Sequence, residues 1–257
     1  MLKNDRKQYE SEKVSDKIEF CKTRNKIVNT DFLDMASRGE VQKFLNGESF
    51  KNYFFEGGKE NADRSILVLY PDKITEEMAR KNIGNILEVI RIRLPKELKY
   101  EHRDYLSGIM KLGLKREKFG DIIVNDTGAD VVVLKEVSNY LKQGLQDLTR
   151  FRKSEIELVS ISEIKNIKTE FEEFTIIVPS LRLDNFVAEL ARCSRTKAEE
   201  IIIEQRVFLN SILVEKTSKK IEVGDILTIR GKGKFIFESV ERETRNDRLV
   251  LKMKKYI

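Results

Sequence analysis

The sequence predicts an α+β protein with a helical N-terminal segment (residues 1–60), a central α/β domain (61–164) and a C-terminal module (179–257) that ends in a β-hairpin. Apolar residues recur at broadly helical spacing in the N-terminal segment. Strand-like and helical patterns alternate through the central part, whereas two short helical patterns precede several strand-like runs in the C-terminal part. Residues 165–178, which begin polar and acidic, are interpreted as a linker that leads into a strand.

The composition favours a folded protein with a polyanionic partner. Hydrophobic residues make up 40% of the 257 residues, charged residues make up 36%, and there are 3 prolines, a balance that argues against disorder. Lys and Arg outnumber Asp and Glu by 49 to 43, and the net charge of +6 favours nucleic acid or an acidic membrane surface. The apolar runs are too short to span a bilayer, so we expect no membrane attachment.

The N-terminal segment is predicted to form two or three helices between residues 3 and 46. An aromatic cluster at 50–55 follows and is closed by the glycine turn Gly57-Gly58. Aromatic side chains can stack on bases, but a cluster beside a strand is more often core, and we interpret it as core.

The central part is predicted to be a small layered α/β domain of ferredoxin-like or related topology. An apolar run at 65–70, stopped by Pro71, indicates a buried strand at its start. Helices and strands then alternate. They are a helix from 75, a strand at 87–94, a helix at 102–112, strands at 121–124 and 131–134, a helix at 137–148 and a strand at 156–159.

Two helices open the C-terminal module. The apolar side chains of residues 183–191 fall on one helical face, and Ser194 is a natural N-cap for a second helix. The two helices therefore form a hairpin. The buried face of the second helix is predicted to hold Ala198, Ile201, Ile202 and Gln205.

Two cations stand where the helix dipole would favour acids. Arg195 and Lys197 occupy the first turn of the second helix, near the positive end of its dipole. Backbone N–H groups, the helix dipole and two cations together would form a phosphate-binding site. The alternative is a pair of solvated surface cations that are tolerated at small cost.

More cations follow among the predicted strands. Residues 206–214 read as strand, turn and strand, and 225–230 read as a further strand that runs into 231–235. The glycines of this last segment would let the backbone approach a ligand closely, and its lysines would add phosphate contacts. The loop between these strands carries Lys216, Lys219 and Lys220.

Four ordered motifs in this module resemble the S4 RNA-binding domain. They are Arg182-Leu183-Asp184, Ser194-Arg195-Thr196-Lys197-Ala198, Arg206-Val207 followed by Asn210, and Gly224-Asp225-Ile226-Leu227. The resemblance implies a helical hairpin on a small sheet, whose surface at the start of the second helix faces rRNA or tRNA. The sequence departs from the family at Gln205 and Ser211, where glycine is usual, so the helix end and the hairpin turn must be made differently.

The candidate RNA-binding residues follow from this resemblance and from the placement of the cations. By resemblance, Arg195, Thr196 and Lys197 should face RNA, while Arg182, Arg206 and Asn210 should help to shape or charge that surface. The candidate set is Arg182, Ser194, Arg195, Thr196, Lys197, Arg206, Asn210, Lys219, Lys220, Arg230, Lys232 and Lys234.

Motifs spread over most of the chain resemble the YlmH-type S4 proteins of bacteria. They are FFEGG (54–58), ADR with ILVLYPD (62–72), HRDYL (102–106) and KREKFGDI (115–122). The resemblance implies an N-terminal helical part, an RRM-like central domain and a C-terminal S4 domain. It also implies a ribosome-associated factor, linked to rescue of stalled large subunits that carry peptidyl-tRNA and, in older naming, to cell division. We therefore expect a monomer whose partners are rRNA, tRNA and the large ribosomal subunit.

We expect no catalytic, metal or cofactor site. His102 is the only histidine, and a lone histidine that starts a helix is usually structural even with Asp104 nearby. Cys21 and Cys193 form no CxxC pair, which disfavours a zinc site or a disulfide framework and fits a reducing cytoplasm. Residues 231–234 lack the GxxxxGKS/T spacing of a nucleotide-binding loop. An RNA-modifying enzyme of pseudouridine-synthase type and a cell-division-associated interaction protein remain as alternatives.

Overall fold

The computed structural model describes residues 3–60, 62–165 and 171–256, with side chains for residues 11–60, 62–164 and 171–256. The chain divides into two compact units, residues 1–167 and 168–257. The fold class predicted from the sequence is confirmed, with N-terminal helices, a central sheet domain and a C-terminal unit in which two helices pack on a sheet.

The first unit contains two sheets with helices packed on them. Its elements are α1 (Lys3–Arg24), β1 (Val28–Asn29), α2 (Met35–Gly47), β2 (Tyr53–Glu56), β3 (Ile66–Leu69), α3 (Glu76–Lys81), β4 (Leu87–Arg93), α4 (His102–Lys111), β5 (Phe119–Asn125), β6 (Gly128–Leu134), α5 (Lys135–Asp147), β7 (Glu155–Val159) and α6 (Ser162–Lys165). Short 3-10 turns lie at Asn82–Asn85, Arg116–Lys118 and Thr149–Phe151.

The N-terminal segment contains a sheet that the sequence did not predict. Strand β3 lies in the middle of a three-stranded antiparallel sheet, between β1 and β2. The strand predicted at 65–70 does form, but it pairs with the N-terminal strands β1 and β2 and not with the central sheet. Its partners are two and four residues long, too short for a periodic pattern. Phe50 and Phe54 are 5% exposed, as expected for core aromatics.

The central sheet has the predicted ferredoxin-like topology. Strands and helices follow the order β4, α4, β5, β6, α5, β7, and the sheet order is β5-β6-β4-β7 with every neighbouring pair antiparallel. One face packs on α4 and α5 through fully buried Tyr105, Ile109 and Leu141. Four of the five strands predicted for the central domain lie in this sheet, and the helices predicted at 102–112 and 137–148 form, within one or two residues at most ends.

The second unit is a helical hairpin on a six-stranded sheet. Its elements are β8 (Phe171–Val178), α7 (Leu183–Ala191), α8 (Arg195–Ile203), β9 (Val207–Leu209), β10 (Ile212–Leu213), β11 (Ile226–Ile229), β12 (Gly233–Glu243) and β13 (Leu249–Tyr256). The sheet order is β10-β9-β11-β12-β13-β8, and β12 with β13 forms the expected C-terminal hairpin. Strand β8, in the segment interpreted as a linker, is an edge strand of this sheet, and residues 166–170 of that segment lie outside the described residues.

The hairpin helices bury their apolar faces as the spacing predicts, with one correction. Ala198 and Ile202 are fully buried in a core that also holds Phe186, whose ring lies 5.2 Å from that of Phe237. Gln205 is not on the buried face, since α8 ends at Ile203 and Gln205 follows it with a left-handed φ of 61°. A left-handed residue cannot continue a right-handed helix, and its side chain turns aside to donate to Glu215.

Candidate RNA interface

A buried carboxylate organises the start of the helical hairpin. The side chain of Asp184, in the first turn of α7, is 0% exposed. It accepts two hydrogen bonds from Arg182, at 3.1 and 2.7 Å, and two from Arg195, at 3.1 and 2.8 Å. Because Arg182 precedes α7 and Arg195 begins α8, this single carboxylate joins the entrances of both helices.

The two guanidinium groups keep part of their surface free of the protein. The side chains of Arg182 and Arg195 are 40% and 56% exposed. Burial alone would raise the pKa of Asp184, but the hydrogen bonds from both arginines outweigh burial and hold that pKa below its usual value. Asp184 is therefore ionised at neutral pH, and each guanidinium has further N–H groups to offer an anion.

The entrance of α8 combines a side-chain cap with cations. Ser194 has extended backbone geometry, and its hydroxyl accepts from the Lys197 backbone N–H at 3.2 Å, which confirms it as the N-cap. The first amides of a helix have no intrahelical partner, and here they belong to Arg195 and exposed Thr196. The Lys197 amine lies 2.6 Å from Glu200, and this hydrogen bond raises the pKa of Lys197. The entrance thus offers amides and positive charge together, the arrangement that binds phosphate.

Two loop lysines lie beside this entrance. The Leu183 backbone N–H donates to the Lys219 carbonyl at 2.8 Å, and the backbones of Arg182 and Lys220 form an isolated antiparallel bridge. Both lysines are exposed. We call Arg182, Arg195, Lys197, Lys219 and Lys220 the hairpin-entrance patch. Arg182 and Arg195 share the Asp184 carboxylate, Lys219 and Lys220 adjoin the start of α7 through their backbones, and Lys197 lies in the same first turn of α8 as Arg195.

Three further candidates gather where β9 and β11 meet. The Arg206 guanidinium donates to the Arg230 carbonyl at 3.0 Å, and the Arg230 backbone N–H donates to the Arg206 carbonyl at 2.9 Å. The Arg230 guanidinium lies 5.0 Å from the centre of the Phe208 ring, and exposed Lys232 follows in the turn. Arg206 is also close enough to Lys197 to oppose that residue's charge, which links this strand-end patch (Arg206, Arg230, Lys232) to the hairpin entrance.

The two remaining candidates stand apart from these patches. The Asn210 side chain donates to Asp225 at 2.7 Å and accepts from the Ile226 backbone N–H at 2.9 Å. It ties the β9–β10 turn to β11, and the turn is made by Asn210 and Ser211 with left-handed φ values of 50° and 66°. Lys234 lies over the Tyr256 ring at 5.2 Å, on the β12–β13 side of the sheet.

Asp104, which was considered for catalysis beside His102, has structural partners. Asp104 accepts from the Glu101 backbone N–H at 2.9 Å as part of a capping box at the start of α4, and it pairs with Arg150 at 3.3 Å. Within the described parts of the chain, His, Cys, Asp and Glu side chains form no cluster of three or more that could hold a metal ion. The described helices also include none with the length and apolar character needed to cross a bilayer.

Asp184 is a residue of this candidate site whose buried position the sequence alone did not reveal. The motif Arg182-Leu183-Asp184 contains it, and an acid two positions after an arginine is common on a protein surface. The signal lay in the pattern of α7, because position 184 is flanked by core residues Leu183 and Phe186. A charged residue at a buried position requires partners, and the two arginines of the neighbouring motifs supply them.

Comparison with known proteins places these two units in a family. A family model described as "Putative RNA-binding domain in YlmH" matches residues 79–166, and the S4 domain model matches residues 181–227. The "Ribosome-associated protein quality control protein P2" of Bacillus subtilis (strain 168) is 30% identical over 220 residues, which cover 85% of this chain and 83% of that protein.

A solved structure, "Cell division protein ylmH from Streptococcus pneumoniae", superposes with a TM-score of 0.48 at 16% identity, covering 65% of this chain and 97% of that one. The order of the matched domains and the identity to the Bacillus subtilis protein agree with the motifs found along the sequence. This chain belongs to the family of YlmH-type S4-domain proteins.

Proposed function

We propose that this protein is a cytoplasmic RNA-binding adaptor that docks on rRNA or tRNA of the large ribosomal subunit, in quality control of stalled complexes that carry peptidyl-tRNA. The observation that carries the proposal is the Asp184 carboxylate holding Arg182 and Arg195 at the entrance of the hairpin. Two oriented guanidiniums beside unpaired helix amides suit the phosphates of an RNA backbone, because each group can donate to a phosphate oxygen.

The ribosomal assignment rests on the relative's name. The Bacillus subtilis protein is named as a ribosome-associated quality control protein, and the chains align over 85% of this one. Both matched family models describe RNA-binding or S4 domains. We also propose that the protein acts as a monomer and without catalysis of its own, so that its contribution is to position RNA and other partners.

The proposal is tested by sedimentation with purified large subunits. Wild type should co-sediment at low salt and be released by ribonuclease treatment. The double variant Arg195→Gln/Lys197→Gln should remain in the supernatant, whereas the control Lys43→Gln/Lys73→Gln, which removes two exposed lysines of the first unit, should sediment like wild type. Glutamine is used because a glutamate at 195 would face the buried Asp184 carboxylate and destabilise the fold.

The alternatives give different results in the same preparation. Turnover of tRNA or rRNA fragments by the purified protein would identify an RNA-modifying enzyme. Sedimentation that survives ribonuclease and requires lipid vesicles would identify a membrane-directed interaction protein. Failure of wild type to bind large subunits or tRNA at low ionic strength would contradict the proposal itself.

A further inference from the structure

Both faces of the central sheet are covered in this protein. One face lies under α4 and α5. On the other, Leu87, Val89 and Val132 are at most 1% exposed and pack in a core that includes Phe54 and Val68 of the N-terminal strands. The N-terminal sheet therefore occupies much of the face that is open in an RRM.

The rest of that face is closed by ion pairs. Arg91 donates to Asp130 at 2.9 Å and to Glu163 at 2.8 Å, and the Asp130 side chain is 2% exposed. Strands β4 and β6, the two central strands, contain no aromatic residue. RRM domains bind RNA by stacking bases on aromatics of this face. The central domain lacks the aromatic surface for that mode, so any RNA that it binds must meet another part of its surface.

Two basic segments, residues 96–104 and 149–153, contact each other at one end of the central domain. Tyr100, in the connection from β4 to α4, donates from its hydroxyl to the Arg150 carbonyl at 3.0 Å. Arg150, in the turn after α5, donates in return to the Asp104 carbonyl at 2.9 Å. The Tyr100 ring also contacts the Phe151 ring edge-on, with centroids 5.8 Å apart. Residues 96–104 and 149–153 thus form one surface.

This surface is rich in exposed cations. We call Lys96, Lys99, Arg103, Arg152 and Lys153, all exposed, the loop-end patch. The same segments contain three acids against six Lys and Arg residues. Asp104 pairs with Arg150 at 3.3 Å and Glu101 pairs with the patch residue Arg103 at 3.3 Å, while Glu97 is exposed, so the surface keeps an excess of positive charge. The edge strand β7 is less basic, because its two acids, Glu155 and Glu157, share a single cation, Arg93, at 3.9 and 2.7 Å.

We propose that the loop-end patch is the RNA-contacting surface of the central domain, binding the sugar-phosphate backbone rather than bases. This inference rests on the proposed function, since it names where the second RNA contact of the same protein lies. Lysines and arginines that touch phosphates fix the register and orientation of a protein on its RNA without reading sequence. The patch therefore adds affinity and orientation to the contact made by the hairpin-entrance patch.

The test compares two triple variants of the full chain that remove equal charge from the same unit. Lys99→Gln/Arg152→Gln/Lys153→Gln removes patch cations, and Lys26→Gln/Lys43→Gln/Lys73→Gln removes three exposed lysines elsewhere. Affinity is measured for purified large subunits and for protein-free rRNA extracted from them. We expect the patch variant alone to bind both probes about tenfold more weakly. Its slope of log affinity against log salt should fall by about 1 for each phosphate that is no longer neutralised.

Each outcome separates this inference from the proposed function. Equal affinities of the two triple variants, with Arg195→Gln/Lys197→Gln still impaired, would overturn the loop-end patch and leave the proposed function standing. Weakened binding to whole subunits but unchanged binding to protein-free rRNA would show that the patch contacts a ribosomal protein, which also overturns it. Failure of wild type to bind either probe would contradict both the loop-end patch and the proposed function. Equal melting temperatures of the variants and wild type establish that folding is not the cause.

Discussion

Replacing Asp184 by asparagine separates two effects on RNA binding, the orientation of Arg182 and Arg195 and the net charge of the protein. The carboxylate accepts four hydrogen bonds from the two guanidiniums, at 2.7 to 3.1 Å, and one from the Asn185 backbone N–H at 3.0 Å. Asp184→Asn preserves the size of the side chain, removes its charge and turns one acceptor oxygen into a donor that faces guanidinium N–H groups. The variant raises the net charge of the protein by one unit, which by itself would favour RNA.

The expected loss of unfolding free energy follows from the burial of the Asp184 carboxylate and the partial exposure of its two arginine partners. Hydrogen bonds to charged groups contribute about 1.5–3 kcal/mol each to the stability of a folded protein. Removing one partner of a buried ion pair lowers that stability by about 3–5 kcal/mol. Both arginines are partly solvated, at 40% and 56% exposure, so water replaces much of the interaction that the variant removes. We expect Asp184→Asn to lower the free energy of unfolding by about 2 kcal/mol.

RNA affinity should fall as well. Without the carboxylate, the Arg182 and Arg195 side chains lose their fixed geometry, and we expect binding to weaken about tenfold, or about 1.4 kcal/mol. The matched control is Glu189→Gln, which removes one acid from an exposed position of the same helix. Urea unfolding and fluorescence titration with tRNA and large subunits measure both effects. Unchanged or tighter RNA binding by Asp184→Asn than by Glu189→Gln would refute the positioning role.

The pH dependence gives an independent check on the same group. The pKa of Asp184 is lowered in the folded protein, so its contribution to stability is fully present above the unfolded value of about 3.9 and is lost as the pH falls through the folded value. The difference in unfolding free energy between wild type and Asp184→Asn should therefore be constant near neutrality and shrink below about pH 4. If the difference in unfolding free energy between the two proteins stayed the same below about pH 4, the pKa of Asp184 would not be lowered in the folded protein.

Substitutions at three further positions test local features. Ser194→Ala should lower stability by about 1 kcal/mol in urea unfolding, with Ser194→Asp retaining most of it, because the hydroxyl caps the Lys197 N–H. Gly128→Ala should cost more than about 2 kcal/mol, since φ is 153° and an added Cβ would lie 1.9 Å from the Ile92 carbonyl oxygen; wild-type stability would contradict the turn geometry. Burial raises the pKa of Tyr105 to about 12, so stability should fall between about pH 10 and 12, and Tyr105→Phe should remove that part of the fall.

Local signals in the sequence were sufficient for most helices and strands. The apolar face of residues 183–191 and the Ser194 cap specify α7 and α8, because both signals act within one or two helical turns. The two strand-like runs on either side of Gly128 likewise indicated the β5–β6 hairpin, since glycine is common in the turns of hairpins.

Features that depend on distant partners could not be predicted from local patterns. Strand β3 was recognised as a strand, but its pairing with the two-residue β1 and with β2 arises only when the chain folds back. Gln205 has the right spacing for the buried face of α8, yet the helix ends two residues earlier. Asp184 shows its role only when Arg195, eleven residues away, returns to it across the hairpin.

The steepness with which salt weakens RNA binding tests the central claim most directly. Affinity for large subunits is titrated between low and physiological salt for wild type, Arg195→Gln/Lys197→Gln and Lys43→Gln/Lys73→Gln. If the hairpin-entrance patch binds phosphates, the slope of log affinity against log salt concentration should be shallower by about 1 for each cation removed in Arg195→Gln/Lys197→Gln. The slope for Lys43→Gln/Lys73→Gln should match that of wild type. Equal slopes for all three proteins would show that the cations at the start of α8 do not touch the RNA backbone.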